Sequence, residues 1–246
     1  MKRIVIIGAS SGLGLKSALL FAEKGWKIAL AARRTTPLQT VKNQYPDSVV
    51  FSQIDITSQD APQRLLDLIH KNGGADIVFL AAGIGWQNAD LDLQKDLQTV
   101  TTNCMGMVNI VNTAYHYFAD ECNGNGHIAV ITSIAGTKGL GISATYSATK
   151  RMQNCYLEAL EQLSQIKGHN IHFTDIRPGF VKTDLLDPSR SYPMLMSVDY
   201  AAQKIISAII AQKRVAYIDW KWHIVVALWR LIPRCIWRRL NVRIES

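Results

Sequence analysis

The chain has 246 residues, with a hydrophobic fraction of 48% and a charged fraction of 19%, values typical of a globular domain. Its formal net charge is +8, and residues 213–246 hold eight lysines and arginines against two acids, so the body is nearly neutral. This distribution argues against a nucleic-acid groove on the body. The four cysteines show neither a CxxC pair nor metal-ligand spacing with histidine, so neither a metal site nor a disulfide framework is expected.

Short apolar runs alternate with helical periodicity along the chain. The predicted strands are 4–7, 27–31, 49–53, 77–80, 127–132, 171–176 and 216–218, and the predicted helices lie near 13–24, 60–71, 98–120, 145–166 and 198–212. Such alternation predicts an α/β fold, a Rossmann-type doubly wound parallel sheet of about seven strands with helices on both faces. We expect one domain over residues 1–213, followed by a last strand and a basic extension over 214–246.

The first apolar run stops at Gly8 after four residues, which is too short for a signal peptide and indicates a strand of a cytoplasmic protein. The sequence IVIIGASSGLG then leads into a helix with Gly8, Gly12 and Gly14 at the turn. Glycines let a backbone approach a pyrophosphate, and a helix N-terminus offers free N–H groups to it. The turn predicts a dinucleotide site, because it directly follows the first strand.

The end of the second strand predicts which dinucleotide is bound. An acid there holds the ribose hydroxyls of NAD(H), but the sequence ALAARRTTP has none. Arg33 and Arg34 can instead pair with the 2′-phosphate of NADP(H), which favours NADP(H) over NAD(H). The alternative is that both arginines are solvated loop residues.

The sequence YSATK places Tyr146 and Lys150 on one helix face. The spacing YxxxK also occurs at Tyr200/Lys204 and Tyr217/Lys221, so spacing alone decides nothing. Only the first copy follows a strand that ends in a hydroxyl, Ser133, across a Gly-containing loop. We interpret the second copy as a helix-surface pair and the third as a strand end leading into the extension.

Taken together, IGASSGLG, AAG at 81–83, NCMG, Ser133, YSATK and RPGFVKT resemble the motif series of the short-chain dehydrogenase/reductase family. The resemblance implies that Tyr146 is the proton donor and acceptor and that Lys150 binds the nicotinamide ribose and lowers the phenol's pKa. It implies that Ser133 donates a hydrogen bond to the substrate carbonyl and that Asn103 holds a water molecule of the proton relay. Asp55 would contact the adenine of the cofactor. The cofactor-lining residues it implies are Gly8, Ser10, Ser11, Gly12, Leu13, Gly14, Arg33, Arg34, Asp55, Ile56, Ala82, Gly83, Tyr146, Lys150, Pro178, Gly179, Val181 and Thr183.

The sequence departs from the family pattern at two positions. Ile7 stands where the family usually has Thr, and Leu80 stands where it usually has Asn. Both usual residues make hydrogen bonds that tie loops together, so we expect weaker support for the cofactor loops and an intact catalytic group.

The family's dimer-forming helices correspond to those containing Asn103 and Tyr146, so the resemblance implies a homodimer or homotetramer. The apolar faces compatible with this are Met105/Val108/Val111 and Met152/Tyr156/Ala159, although such faces also form intramolecular cores. The segment after the PG motif usually closes over the substrate. Its apolar tip is Tyr192, Pro193, Met194, Leu195 and Met196, which favours a small apolar or lipid-like carbonyl or alcohol substrate, unless the loop packs on its own core.

Residues 220–240, here called the tail, read WKWHIVVALWRLIPRCIWRRL and hold four of the six tryptophans. A membrane span needs about 20 apolar residues, so none is expected here, and Pro233 separates two short helices, starting the second as its first residue. Val225, Trp229, Ile232, Ile236 and Leu240 recur at helical steps beside a stripe of Arg230, Arg234 and Arg238. This pattern favours peripheral contact with the inner face of a membrane, or a lid or subunit contact, over nucleic acid.

The sequence therefore predicts an NADP(H)-dependent oxidoreductase that interconverts a ketone or aldehyde and an alcohol. The alternative is a non-catalytic NADP(H)-binding protein whose tail recruits a partner or a membrane. A pure sensor does not require Asn103, Ser133, Tyr146 and Lys150 together, which disfavours that alternative.

Overall fold

The computed structural model describes residues 1–242. Arg243 and Glu245, which contribute to the charge count above, lie outside these residues. The strands are β1 (Arg3–Ile7), β2 (Lys27–Ala32), β3 (Val49–Gln53), β4 (Ile77–Leu80), β5 (Asn125–Ile131), β6 (Asn170–Pro178) and β7 (Val215–Ile218). The α-helices are α1 (Gly12–Glu23), α2 (Thr36–Gln44), α3 (Ala61–Lys71), α4 (Leu93–Val100), α5 (Met107–His116), α6 (Ala144–Ile166), α7 (Val198–Ile210), α8 (Trp220–Leu231) and α9 (Arg234–Trp237).

All seven strands pair in parallel, in the order β3-β2-β1-β4-β5-β6-β7. This confirms the predicted doubly wound Rossmann-type sheet. The order reverses between β1 and β4, which is where a crevice opens at the carboxyl edge of such a sheet. β7 lies beyond residue 213 and pairs with β6, so the sheet continues into the first residues of the extension.

The core has two halves because side chains of a strand alternate between the faces of the sheet. Ile4 and Ile6 of β1 face one half, together with side chains of α1, α2, α7 and α8. Val5 and Ile7 face the other half, together with side chains of α3, α5 and α6. Each of these four strand residues is at most 1% exposed, so helices cover both faces of β1.

The helix predicted near 98–120 is interrupted. α4 and α5 are joined by a π-helical turn at Thr101–Gly106, and a second π-turn follows at Tyr117–Glu121. α2 was not predicted, since its only apolar side chains facing the core are Leu38 and Val41, a pattern too short to stand out. Pro233 precedes α9 as its N-cap rather than forming its first residue.

One of the two faces assigned to subunit contact, Met105/Val108/Val111, does not form a single exposed surface. Val111 is fully buried within the subunit, since α5 turns it into the core, whereas Met105 is 57% exposed. Among residues 1–242, no helix has the length and apolar character needed to cross a bilayer.

Candidate active site

A groove of about 520 Å³ lies at the carboxyl edge of the sheet, where β1 adjoins β4. Its lining includes the predicted residues Gly8, Ser10, Ser11, Gly12, Leu13, Gly14, Arg33, Arg34, Asp55, Ile56, Ala82, Gly83, Tyr146, Lys150 and Thr183. A second hollow of about 600 Å³ lies at the amino ends of the strands and contains none of them. Parallel sheets bind ligands at the carboxyl edge, so the groove is the candidate site.

The glycine turn shapes one wall of the groove. Gly8 has a φ of +88°, and a side chain there would come within 2.5 Å of the backbone nitrogen of Ala82. A side chain at Gly14 would overlap the carbonyl oxygen of Gly8. At the start of α1, Ser11 makes no capping hydrogen bond with its side chain, so the first N–H groups of the helix remain for an anion. This turn fits the pyrophosphate of a dinucleotide.

The exposed side chains of Arg33 and Arg34 follow β2 and line the groove. The Arg34 guanidinium donates a 3.2 Å hydrogen bond to the hydroxyl of Ser11, so it lies beside the glycine turn. Asp55 accepts hydrogen bonds of 2.9 and 2.7 Å from the backbone and hydroxyl of Thr57. Burial raises the pKa of Asp55, but these bonds and the charge of Arg33 outweigh it and lower the pKa, so Asp55 is a carboxylate.

Three predicted cofactor residues do not line the groove: Pro178, Gly179 and Val181. Val181 is 6% exposed and forms a β-bridge with Met196, so its side chain belongs to the core. Gly179 packs against the indole of Trp222, which a side chain at Gly179 would overlap. Asp184 and Leu185 line the groove instead, directly after Thr183, and that adjacency was the signal that could have found them.

Tyr146 and Lys150 lie one turn apart near the start of α6, and the Lys150 ammonium is 5.6 Å from the centre of the Tyr146 ring. The ring is half-buried, and Gly85 packs so closely on it that any side chain at Gly85 would overlap it. Ser133 follows β5 and is buried. The structure therefore brings the phenol, the ammonium and the hydroxyl together at one end of the groove.

The pKa of Tyr146 differs from the prediction. Burial raises the pKa of the phenol, and the hydrogen bond with the Ser133 hydroxyl opposes this without reversing it. Burial also lowers the pKa of Lys150 to about 8, against the charges of Asp175 and Cys104, which raise it. Burial therefore sets the direction for the phenol, which is held in its protonated form at neutral pH.

Asn103 lies in the π-turn between α4 and α5, and it is 1% exposed. Its side-chain amide donates to the carbonyl of Ile84 (2.7 Å) and to the hydroxyl of Thr149 (3.1 Å), and its oxygen accepts from the Ile84 N–H (2.9 Å). These hydrogen bonds fix the loop after β4 against α6.

Gln153 was missed by the sequence analysis. It is 1% exposed, its side-chain oxygen accepts from the Lys150 ammonium at 3.0 Å, and its nitrogen donates to the backbone carbonyl of Asn103 at 2.8 Å. The protein itself thus bridges Lys150 and Asn103, the place where the resemblance assigns a water. A buried glutamine one turn after a motif lysine was the available signal.

The segment after β6 is exposed only in part. Met194 and Leu195 are 39% and 45% exposed, whereas Tyr192 is half-buried with its ring 5.1 Å from that of Phe180. Met196, predicted in the tip, is buried because its backbone pairs with Phe180 and Lys182. The apolar tip is therefore 192–195.

Three of the four tail tryptophans face the body of the protein. Trp222 is 2% exposed and lies 5.5 Å from the ring of Phe180, and the Trp237 indole donates to the carbonyl of Gly139 at 2.8 Å. Trp229 lies between them, with ring distances of 6.5 and 5.6 Å. Lys138 also donates to the carbonyl of Ile232 at 2.8 Å. The tail therefore holds the loop between Ser133 and Tyr146.

The predicted stripe of the tail is divided by this packing. Val225, Trp229 and Ile232 are half-buried against the body, while Ile236 and Leu240 are 51% and 46% exposed. The stripe is therefore mainly an intramolecular contact.

The two departures from the family pattern form one contact. Ile7 and Leu80 are partners in the register of β1 and β4, and each is 1% exposed. The paired strand ends are thus held by apolar packing.

The other two YxxxK pairs lie away from the groove lining. Tyr200 donates a 2.9 Å hydrogen bond to Asp219 on the surface, and Tyr217 lies in β7.

Comparisons with known proteins identify the family of the chain. A family described as short chain dehydrogenase matches residues 2–193. An uncharacterized oxidoreductase of Mycobacterium tuberculosis is 30% identical over 249 residues, covering 97% of this chain and 96% of that protein. An uncharacterized oxidoreductase of Listeria monocytogenes is 36% identical over 194 residues, covering 76% of this chain and 77% of that protein.

Solved structures share the fold. ElxO with NADP bound has a TM-score of 0.79 at 21% identity, covering 91% of this chain and 99% of that chain. A short-chain dehydrogenase from Sphingobium yanoikuyae in complex with NADPH has a TM-score of 0.78 at 18% identity, covering 100% of this chain and 99% of that chain. With the family match over most of the chain, the conclusion is that this protein belongs to the short-chain dehydrogenase/reductase family of oxidoreductases.

Proposed function

We propose that the protein is an NADP(H)-dependent oxidoreductase that interconverts a ketone or aldehyde and an alcohol. The observation that carries this proposal is the convergence of Tyr146, Ser133 and Lys150 at the end of a groove whose glycine turn fits a dinucleotide. The nicotinamide supplies the hydride when bound. The protein supplies binding, orientation and the proton.

The proposed proton donor is Tyr146, with the Ser133 hydroxyl as the second hydrogen-bond donor to the substrate carbonyl. A raised pKa keeps the phenol protonated at neutral pH, and this is the form that gives a proton to a carbonyl oxygen under reduction. Lys150 uses two of its three donors on Ile131 and Gln153, so a cofactor hydroxyl is the proposed partner of the third. These properties favour the reductive direction.

The proposed cofactor preference rests on charge. Arg33 and Arg34 are exposed beside Ser11 at the adenosine end of the groove, where a 2′-phosphate would accept from both guanidinium groups. The residues from the end of β2 to Arg34 include no acid that would repel this phosphate. The bound NADP and NADPH of the two structural neighbours support the same preference.

The proposed substrate is apolar. The tip at 192–195 lies in the segment that follows β6, and the ring of Tyr192 contacts that of Phe180 just after the carboxyl end of this strand. Apolar, partly exposed side chains at this position favour long-chain ketones, 3-oxoacyl thioesters or steroids over small polar substrates.

Consumption of NADPH with a panel of these carbonyl compounds tests the proposal. We expect turnover with at least one apolar compound and weak turnover with acetone or pyruvate. NADPH binding without turnover across the panel would instead support a non-catalytic dinucleotide-binding protein.

We also propose a homodimer or homotetramer. Leu93, Leu97 and Val100 are 64%, 51% and 40% exposed along one face of α4, next to Met105 at 57%. α4 packs beside α6, so this apolar row adjoins the helix that carries Tyr146. Light scattering after size exclusion tests the assembly, and we expect Leu97→Glu to give monomers.

A further inference from the structure

α8 is apolar on two opposite faces. One face, with Trp222 and Val226, is 2% and 1% exposed in the core. The other face is exposed to solvent. Its side chains are Trp220 (65% exposed), Ile224 (52%), Leu228 (59%) and Leu231 (78%). At about 100° per residue these four positions fall within one narrow stripe on the side away from the core. This outer stripe is large and exposed, so it marks an interaction surface.

The outer stripe is bordered by positive charge. Lys221 adjoins it on one edge of α8, and Arg230 lies on the other side. Exposed arginines continue through α9 and the residues after it: Arg234, Arg238 and Arg239. Residues 220–242 contain five lysines and arginines and no aspartate or glutamate. The partner of this surface is therefore apolar at its centre and negatively charged around it.

This combination selects among the occupants. A second copy docking through the same face would bring five cations of each chain together, which is unfavourable. A nucleic acid offers phosphates but no apolar layer for Leu228 and Leu231. An anionic bilayer surface offers both, since acyl chains accept the stripe and headgroups accept the arginines.

The length of α8 sets the orientation of the contact. Twelve residues at about 1.5 Å each give a helix of roughly 18 Å, much shorter than the hydrocarbon core of a bilayer. One face of α8 is also held in the protein core. The helix can therefore lie only along the surface, with its outer stripe at the boundary between headgroups and acyl chains.

We infer that α8 and α9 dock the protein on an anionic membrane surface through Trp220, Ile224, Leu228 and Leu231. α8 directly follows β7, so the docking surface lies at the carboxyl edge of the sheet, the edge that holds the groove. A consequence that rests on the proposed function is that an apolar substrate dissolved in the bilayer is close to the segment 192–195.

Point substitutions of the full chain test the inference, because deletion of the tail would remove Trp222 and Val226 from the core. The probes are vesicles of phosphatidylcholine alone and of equal parts phosphatidylcholine and phosphatidylglycerol. We expect flotation with the mixed vesicles, little with phosphatidylcholine alone, and weaker binding as salt rises. Absence of flotation with the mixed vesicles would overturn the inference.

Two variants locate the contact. Leu228→Ser should weaken binding about ten-fold by removing apolar area, and Arg234→Gln with Arg238→Gln should weaken it roughly thirty-fold. The matched control is Ile166→Ser, which removes an 81% exposed apolar side chain at the end of α6 and should bind as the unchanged protein does. Unchanged binding of both test variants would refute docking through α8 and α9.

Two further measurements separate membrane docking from contact between copies and from the proposed reaction. Leu228→Ser should leave the mass in light scattering unchanged, and a fall to a smaller species would show that the stripe is an interface between copies. NADPH consumption with a water-soluble ketone, measured without vesicles, reports the proposed reaction separately. A protein that consumes NADPH but does not float with vesicles would contradict only the docking inference. A protein that floats but does not consume NADPH would contradict only the proposed reaction.

Discussion

The side-chain oxygen of Gln153 accepts a 3.0 Å hydrogen bond from the ammonium of Lys150, inside the core beneath the candidate site. Gln153 also holds the backbone carbonyl of Asn103. An acceptor at this position favours the charged form of Lys150 and therefore opposes the burial that lowers the pKa of Lys150 to about 8. Gln153 is a positioning residue that acts through Lys150.

Gln153→Leu should lower the pKa of Lys150 further and reduce kcat about ten-fold, the value of one positioning hydrogen bond. The alkaline limb of the kcat/KM profile should move to lower pH. Gln153→Glu keeps an acceptor and adds negative charge, so it should move that limb to higher pH. Identical pH profiles for the two variants would contradict this role, because a purely structural effect gives no opposite shifts.

Tyr146→Phe should reduce turnover by a factor of about 10³ while NADPH binding changes only a few-fold, because the phenol supplies a proton and little cofactor affinity. Single-turnover kinetics and calorimetric titration with NADPH measure the two effects. Tyr200→Phe is the matched control, since that phenol lies in a surface YxxxK pair. Retained turnover in Tyr146→Phe would remove Tyr146 from the chemistry.

Substitution of both Arg33 and Arg34 by Ala should raise the KM for NADPH roughly 100-fold and leave the KM for NADH within a few-fold, because charge-assisted hydrogen bonds to the 2′-phosphate are lost. The control is Lys42→Ala, a cation of α2 outside the groove lining. An equal rise for both cofactors would show that the arginines only support the glycine turn.

Gly179→Ala should destabilise the protein by about 1–3 kcal/mol, because the added methyl group overlaps the indole of Trp222. Gly139→Ala is the control, since a side chain there meets nothing within 4 Å. Thermal unfolding of both variants measures the difference. Adding Trp222→Phe to Gly179→Ala should recover part of the loss, and no recovery would place the strain elsewhere.

His127 gives a prediction about pH. Burial, with a smaller contribution from His172, lowers the pKa of His127 from 6.5 to about 4. Between these values the unfolded chain binds the proton and the folded chain does not, so the free energy of unfolding falls as pH drops from 6.5 towards 4. The loss is on the order of 3 kcal/mol.

Urea denaturation across this pH range measures the effect, and His127→Gln should flatten the dependence. His116→Gln, which changes an exposed histidine, should retain it. An equally steep decline in His127→Gln would assign the acid loss to other groups.

The local pattern of apolar and polar residues was enough to predict the sheet and the placement of Tyr146 and Lys150 on one helix face. Strand and helix periods depend only on residues that are close in the sequence. The local pattern could not predict that Val181 and Met196 pair with each other, since both belong to an apolar stretch whose bridge depends on a turn between them. It also missed Gln153, whose two partners lie 3 and 50 residues away. Burial and long-range pairing decide such cases, and one sequence shows neither.

The raised pKa of Tyr146 illustrates the same limit. The spacing of Tyr146 and Lys150 fixes the attraction between them, but the cost of desolvation depends on packing such as that of Gly85 on the ring. Which of the two is larger cannot be read from spacing.

The contacts of Lys138 with Ile232 and of Gly139 with Trp237 join the tail to the loop between Ser133 and Tyr146. The family match ends at residue 193, so the tail lies outside it and yet holds the loop between Ser133 and Tyr146. Residues 219–242 can therefore be exchanged between relatives if Trp222 and Val226, which lie in the core, are kept. We expect such chimeras to alter which carbonyl compounds are accepted while the catalytic residues stay as they are, which makes the tail the first segment to recombine when engineering this enzyme.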